Sequence, residues 1–120
     1  MTEPLSTDHE FIRKLTEIVI ANLENENFGV KQLVHESGMS HSSLNRRLHE
    51  INRTNINHFI SHVRLQKALE ILQNEKVSAS EVAYKVGFSS PAYFNTCFHE
   101  FFGYPPGQVE KRVYDTTKEI

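Results

Sequence analysis

Tryptophan is absent from this 120-residue sequence, cysteine occurs once, and glycine and proline number only 5 and 4. A single cysteine, Cys97, cannot close an internal disulfide and fits a reducing compartment. So little glycine and proline excludes collagen-like and low-complexity chains. Long apolar runs are also missing: the longest are a few residues, far short of the ~20 that a membrane-spanning helix needs. Residues 1–8 hold neither a basic nor an apolar stretch, so no secretory signal is read there. No Gly-rich phosphate loop or paired-carboxylate pattern occurs. Cys97 and His99 lie two apart on a predicted helix and point to different faces, which is wrong for a nucleophile and its base. His58 and His62 have helical metal-ligand spacing, but no third ligand accompanies them. No catalytic residue, metal site or cofactor is therefore expected, and the domain reads as cytoplasmic, without membrane contact.

What remains is ordinary for one globular domain: 38% hydrophobic and 23% charged residues, on a chain long enough to bury roughly two-thirds of its unfolded surface. The net charge of −2 hides a split. Residues 1–37 hold 3 Lys/Arg against 7 Asp/Glu, whereas residues 38–112 hold 9 against 6. Within 39–67 there are 5 basic residues and 1 acidic, with His41, His49, His58 and His62 among them. A local basic face is what phosphate contact requires, and a whole-chain charge does not report it.

Apolar residues recur at helical spacing nearly throughout, and no stretch of period two competes, so the fold is predicted to be all-α with about seven helices. Phe11, Leu15, Ile18, Val19 and Leu23 form a first stripe, opened by a capping box at Thr7-x-x-Glu10. Residues 25–29 break the pattern. A short helix follows from about Val30, with Leu33 and Val34 inward, and ends at Ser37-Gly38. Ser40 caps the next, whose inward face is Leu44, Leu48 and Ile51. Asn55 caps a long helix to about Asn74, and Ser78-x-x-Glu81 opens a short one through Val82, Ala83 and Val86. Ser90-Pro91 is an N-cap and N1 pair, followed by a stripe of Phe94, Phe98 and Phe101. A last short helix is expected from Pro106 to about Val113.

The chain also repeats itself. Residues 33–39 match 82–88, and after one inserted residue, residues 40–51 match 90–101. Each copy is a short helix, a Gly-containing turn and a capped helix, the sequence form of a helix-turn-helix. A linker helix of ~20 residues spans about 30 Å. Successive major-groove faces on one side of B-DNA lie ~34 Å apart, so one monomer is expected to read two adjacent grooves. A helical protein-interaction module without DNA binding is the alternative.

Leu33 to Leu48, Phe59 to Leu72, and Glu81 to Phe98 with Phe101-Phe-Gly103 and Pro106 together resemble the DNA-binding domain of the AraC/XylS family of bacterial transcription regulators. The wording, Met39-Ser-His-Ser-Ser-Leu44 in particular, is similar to the C-terminal output domains of Bacteroides-type hybrid two-component regulators. The resemblance implies a sequence-specific, DNA-binding transcription activator with double-stranded DNA and RNA polymerase as partners and dimerisation through domains elsewhere. On that reading residues 1–8 link to a missing upstream domain, and 9–112 form the DNA-binding domain. Its first helix-turn-helix covers about 30–52, its linker helix about 55–74 and its second helix-turn-helix about 78–102. Residues 113–120 are a tail. A parent hybrid chain would add histidine kinase activity that these residues do not contain.

The family's base-reading positions fall on Ser42, Asn45 and Arg46 in the first unit, and on Pro91, Ala92, Asn95 and Thr96 in the second. Asparagine suits adenine and arginine suits guanine in bidentate pairs. Ser40, His41, Arg47, His49 and Arg53, with Tyr93 and His99 in the second unit, are expected to touch the DNA backbone, which positions without specifying. The second unit departs from the family, with Thr96 in place of a usual Arg or Lys, and His99-Glu100 in place of a basic pair.

Overall fold

The computed structural model describes residues 6–110. They form six α-helices and one 3-10 turn: α1 Ser6–Ala21, α2 Val30–Ser37, α3 His41–Asn52, α4 Ile56–Asn74, α5 Ala79–Lys85, α6 Pro91–Phe102 and the turn Pro106–Gln108. Among the described residues there is no strand, and no helix is long and apolar enough to cross a membrane. The chain divides into two compact units after Val63, within α4.

The first unit buries Leu15 and Val19 of α1, Leu33 of α2, Leu44 and Leu48 of α3, and Ile56, Phe59, Ile60 and Val63 of α4 in one apolar cluster. Phe28 joins them, 4% exposed, from the loop before α2. Each fully buried aliphatic or aromatic side chain of this kind contributes roughly 1.5–3 kcal/mol relative to exposure. Two expectations are corrected here. Thr7 lies inside α1 rather than capping it, and Glu10 pairs with Arg13 instead of reaching back to a cap. The helix stops at Ala21, so Leu23 lies in the following turn, where Asn22 Nδ2 donates to the Ile18 carbonyl at 2.8 Å.

The second unit buries Leu65, Ala68 and Leu72 of α4, Val82 and Ala83 of α5, and Phe88, Phe94 and Phe98 around an aromatic chain. Phe88 meets Phe94 edge-on at 5.2 Å between centroids, and Phe98 lies 4.5 Å from Phe102 and 5.9 Å from Tyr104. Such pairs add about 0.5–1.5 kcal/mol beyond area burial. Phe102, not Phe101, completes the α6 stripe: Phe101 is 38% exposed. The element after Pro106 is a single 3-10 turn that gives way to extended backbone at Val109. The end of the helix expected there, and the 113–120 tail, lie outside the described residues.

Candidate nucleic-acid interface

In the first unit, α2 stops because Gly38 adopts the left-handed conformation (φ +75°), with its N–H donating to the His35 carbonyl. Ser37 Oγ donates to the Val34 carbonyl at 2.7 Å and accepts the Met39 N–H at 3.1 Å, which fixes the turn. Ser40 then caps α3 by accepting the Ser43 N–H at 3.2 Å. With Leu44 and Leu48 buried, the 3.6-residue period turns His41, Ser42, Arg46 and His49 to the exposed side.

Two residues expected on that outer face are otherwise engaged. Asn45 is half-buried, and its Oδ1 accepts the Ile56 N–H at 3.0 Å. The Arg47 guanidinium lies 4.3 Å above the Phe11 ring centre and 3.3 Å from Asp8 Oδ1, so it faces α1. A residue that sequence reasoning passed over joins the face instead. His58, in the first turn of α4, lines a cleft of about 550 Å³ together with His41, Ser42, Arg46, His49 and Arg53. Only its position three residues after the Asn55 cap placed it near the end of α3, and its spacing to His62 drew attention to metals instead. The two imidazoles stack at 6.2 Å, and no group of three metal-ligating side chains occurs among the described residues. Burial, with His58 beside it, holds His62 below the usual histidine range.

The second unit repeats the design with different surface chemistry. A full capping box links Ser78 and Glu81, and the backbone and side chain of Ser78 hold the Glu81 carboxyl below its usual range. Gly87 (φ +96°) turns the chain, and Phe88 N–H returns to the Ala83 carbonyl at 2.9 Å. Ser90 caps α6 by accepting the Tyr93 N–H at 3.1 Å, with Pro91 at N1. Ala92, Tyr93, Asn95, Thr96 and His99 are exposed and Pro91 is half-buried. The Thr96 hydroxyl donates to the Ala92 carbonyl at 3.2 Å. Cys97, beside Tyr93, raises the phenol above its ordinary range, so at neutral pH Tyr93 keeps its proton.

Two serine-capped helices, each following a short helix and a glycine turn, are thus on one chain. The model of the helix-turn-helix domain family matches residues 33–112. The chain belongs to the AraC-type helix-turn-helix family of DNA-binding transcription regulators. It is 35% identical over 107 residues to histidine kinase P4 of Formosa agariphila, covering 89% of this chain and 8% of that protein. The fold is shared with an AraC-type transcriptional regulator from Chromobacterium violaceum at a TM-score of 0.77 and 20% identity, covering 90% of this chain and 94% of that one. It is also shared with the DNA-binding domain of AdpA, a global transcriptional factor solved with a target DNA, at a TM-score of 0.70 and 24% identity, covering 80% and 86%. The AraC-type chain described here thus spans less than a tenth of the kinase that it matches.

Proposed function

We propose that this domain binds double-stranded DNA sequence-specifically as the output module of a larger bacterial transcription activator. The observation that carries the reading is the pair α3 and α6, each serine-capped, each with a buried inner face and an exposed outer one. Ser42 and Arg46 are the base readers of the first unit, with Ser40, His41, His49 and Arg53 on the backbone. Asn95 leads the second, with Pro91, Ala92 and Thr96 beside it and Tyr93 and His99 on phosphate. Asn45 and Arg47 leave the set of direct contacts, because the Asn45 carboxamide oxygen is taken by the Ile56 N–H and the Arg47 guanidinium is turned toward Phe11 and Asp8. With two such units on one chain, a binding site of two boxes about one helical turn (~34 Å) apart is expected.

The likeness to a histidine kinase supports a parent chain of the hybrid two-component type, cytoplasmic in this part, with residues 1–8 at the junction. Dimerisation through its other domains and contact with RNA polymerase belong to the same reading. Selection of bound sequences from a random duplex pool tests it: two boxes about one turn apart are expected. Recovery of no enriched sequence, with binding insensitive to salt, would favour a protein-interaction module, since DNA binding must weaken as counterions compete.

A further inference from the structure

Arg53 ends α3 in the left-handed conformation (φ +55°, ψ +36°), and among the described non-glycine residues no other has positive φ. That region is costly for a side chain with a Cβ and nearly free for glycine. The second unit ends α6 in the same conformation with Gly103, at φ +88°. An arginine kept where glycine serves better points to a use for its side chain, and that side chain lines the cleft between α3 and the start of α4.

Arg46 and Arg53 share this cleft with His41, His49 and His58. Its remaining lining, Ser42, Asn45, Thr54 and Asn55, is uncharged, so no carboxylate competes for the basic groups. Glu50, the one acidic residue of α3, is exposed and outside the lining. From α4, His62 stacks on His58 at 6.2 Å. The adjoining hollow adds Val30 of α2, Ile56 and Asn57, none of them charged.

Resting on the DNA-binding reading above, we infer that this cleft is a proton-regulated site for one backbone phosphodiester of bound DNA. Arg53 supplies the fixed charge at the phosphate while Arg46 is left to the bases; a histidine side chain, by contrast, gains charge as pH falls from about 8 to 5. A phosphate anion in the cleft favours the imidazolium forms, so binding takes up protons. By linkage, affinity is highest below the histidine range and is lost as pH rises through it.

The test is fluorescence anisotropy of a labelled mixed-sequence duplex from pH 5.8 to 8.0 at fixed ionic strength. Affinity is expected to fall by up to about tenfold per pH unit for each proton taken up, and His41→Gln/His49→Gln/His58→Gln is expected to flatten that fall. If the triple variant does not melt cooperatively, the three single replacements, each of an exposed side chain, provide the comparison. Arg53→Gly suits the left-handed turn and is expected to melt no lower than the wild type, yet to bind more weakly with a salt slope smaller by about one. A pH dependence undiminished by the histidine replacements, a flat wild-type profile, or full affinity in Arg53→Gly overturns the inference and leaves DNA binding standing. Displacement of the duplex by inorganic phosphate beyond matched chloride assigns the cleft to free phosphate and likewise overturns it. No binding of any duplex at any pH overturns the DNA-binding reading itself.

Discussion

The carboxamide oxygen of Asn45, in the middle of α3, accepts the backbone N–H of Ile56, the first residue of α4, at 3.0 Å. That N–H is one of the four donors that a helix start leaves without an intrahelical partner. Asn55 serves another, accepting the His58 N–H at 2.8 Å. The start of α4 is therefore capped twice, once by its own N-cap and once from the helix before it. The left-handed caps Arg53 and Gly103 put the two units in register, which aligns Asn45 with Asn95 and Ile56 with Pro106. Proline has no N–H to offer. The second unit has deleted the donor, and Asn95 is exposed. One aligned asparagine positions a helix, and the other is open to solvent.

The first prediction separates those roles. Asn45→Ala should lower stability by about 1 kcal/mol, the usual cost of a lost cap, and shift the thermal midpoint down. Asn45→Asp keeps the acceptor oxygen and should restore most of the melting temperature. It lacks the amide donor that a bidentate adenine contact needs, so an unchanged base preference in Asn45→Asp is the expected result on matched and single-base-substituted duplexes. Loss of adenine preference at one position, with normal melting, would return Asn45 to the base readers.

Arg47 supplies the second. Its pair with Asp8 is exposed and worth little, but the stacking on Phe11 contributes about 0.5–1 kcal/mol, and the side-chain stem covers apolar surface. Arg47→Ala should cost about 1 kcal/mol in urea unfolding. A double-mutant cycle with Phe11→Leu should give a coupling near 0.5 kcal/mol or more, whereas a cycle with Asp8→Asn should give almost none. The salt slope of DNA binding should change less than in Arg46→Ala. A slope reduced by about one, with no coupling to Phe11, would instead put Arg47 on a phosphate.

Local chemistry was legible in the sequence where one residue sets one backbone conformation. Ser40, Ser78 and Ser90 cap their helices, and Gly38 and Gly103 end theirs, as the pattern of types predicts. The interior of each stripe was legible too, because a buried face repeats every 3.6 residues. At a helix end the period no longer decides: Phe101 and Phe102 differ by one step, and Tyr104, beyond the helix, captures Phe102. Nor does periodicity see partners far apart in sequence. Asp8 meets Arg47 across 39 residues, Asn45 meets Ile56 across 11, and Phe28 enters the core from a loop without a period. The period therefore sets which way the outer face of α3 turns, while the partners of Asn45 and Arg47 come from contacts that no period reports.

The third prediction concerns acid. The Ser78 backbone N–H and hydroxyl hold the Glu81 carboxyl below its ordinary pKa, and Arg13 does the same for Glu10. A carboxyl depressed in the folded state stabilises it above the unfolded value, near 4.3, and that contribution is lost as pH falls through the lower folded value. Melting temperature should therefore hold from pH 7 to about 5 and decline below about 4.5. Glu81→Gln should shrink the decline between pH 5 and 3. An equal decline in the variant would put the acid sensitivity elsewhere.

The last prediction is an asymmetry in how the two units hold DNA. The first presents Arg46 and Arg53 with three histidines around one cleft. The outer face of α6 has Asn95, Thr96, His99 and Glu100, and the Thr96 hydroxyl is already donated to the Ala92 carbonyl. Charge-assisted hydrogen bonds are roughly twice as strong as neutral ones, so most of the affinity should reside in α3. Arg46→Ala should cost about 1–3 kcal/mol and relax preference at one base position if it pairs with guanine. Thr96→Ala should cost less than about 0.5 kcal/mol, because it removes a hydroxyl satisfied within its own helix. Asn95→Ala, the change of an exposed side chain, should leave stability unchanged while altering preference at one base of the second box. Anisotropy on matched and mismatched duplexes at several salt concentrations reads all three. If Thr96→Ala or Asn95→Ala lowered affinity more than Arg46→Ala, α6 would be the principal reader, with α3 serving chiefly to anchor the backbone.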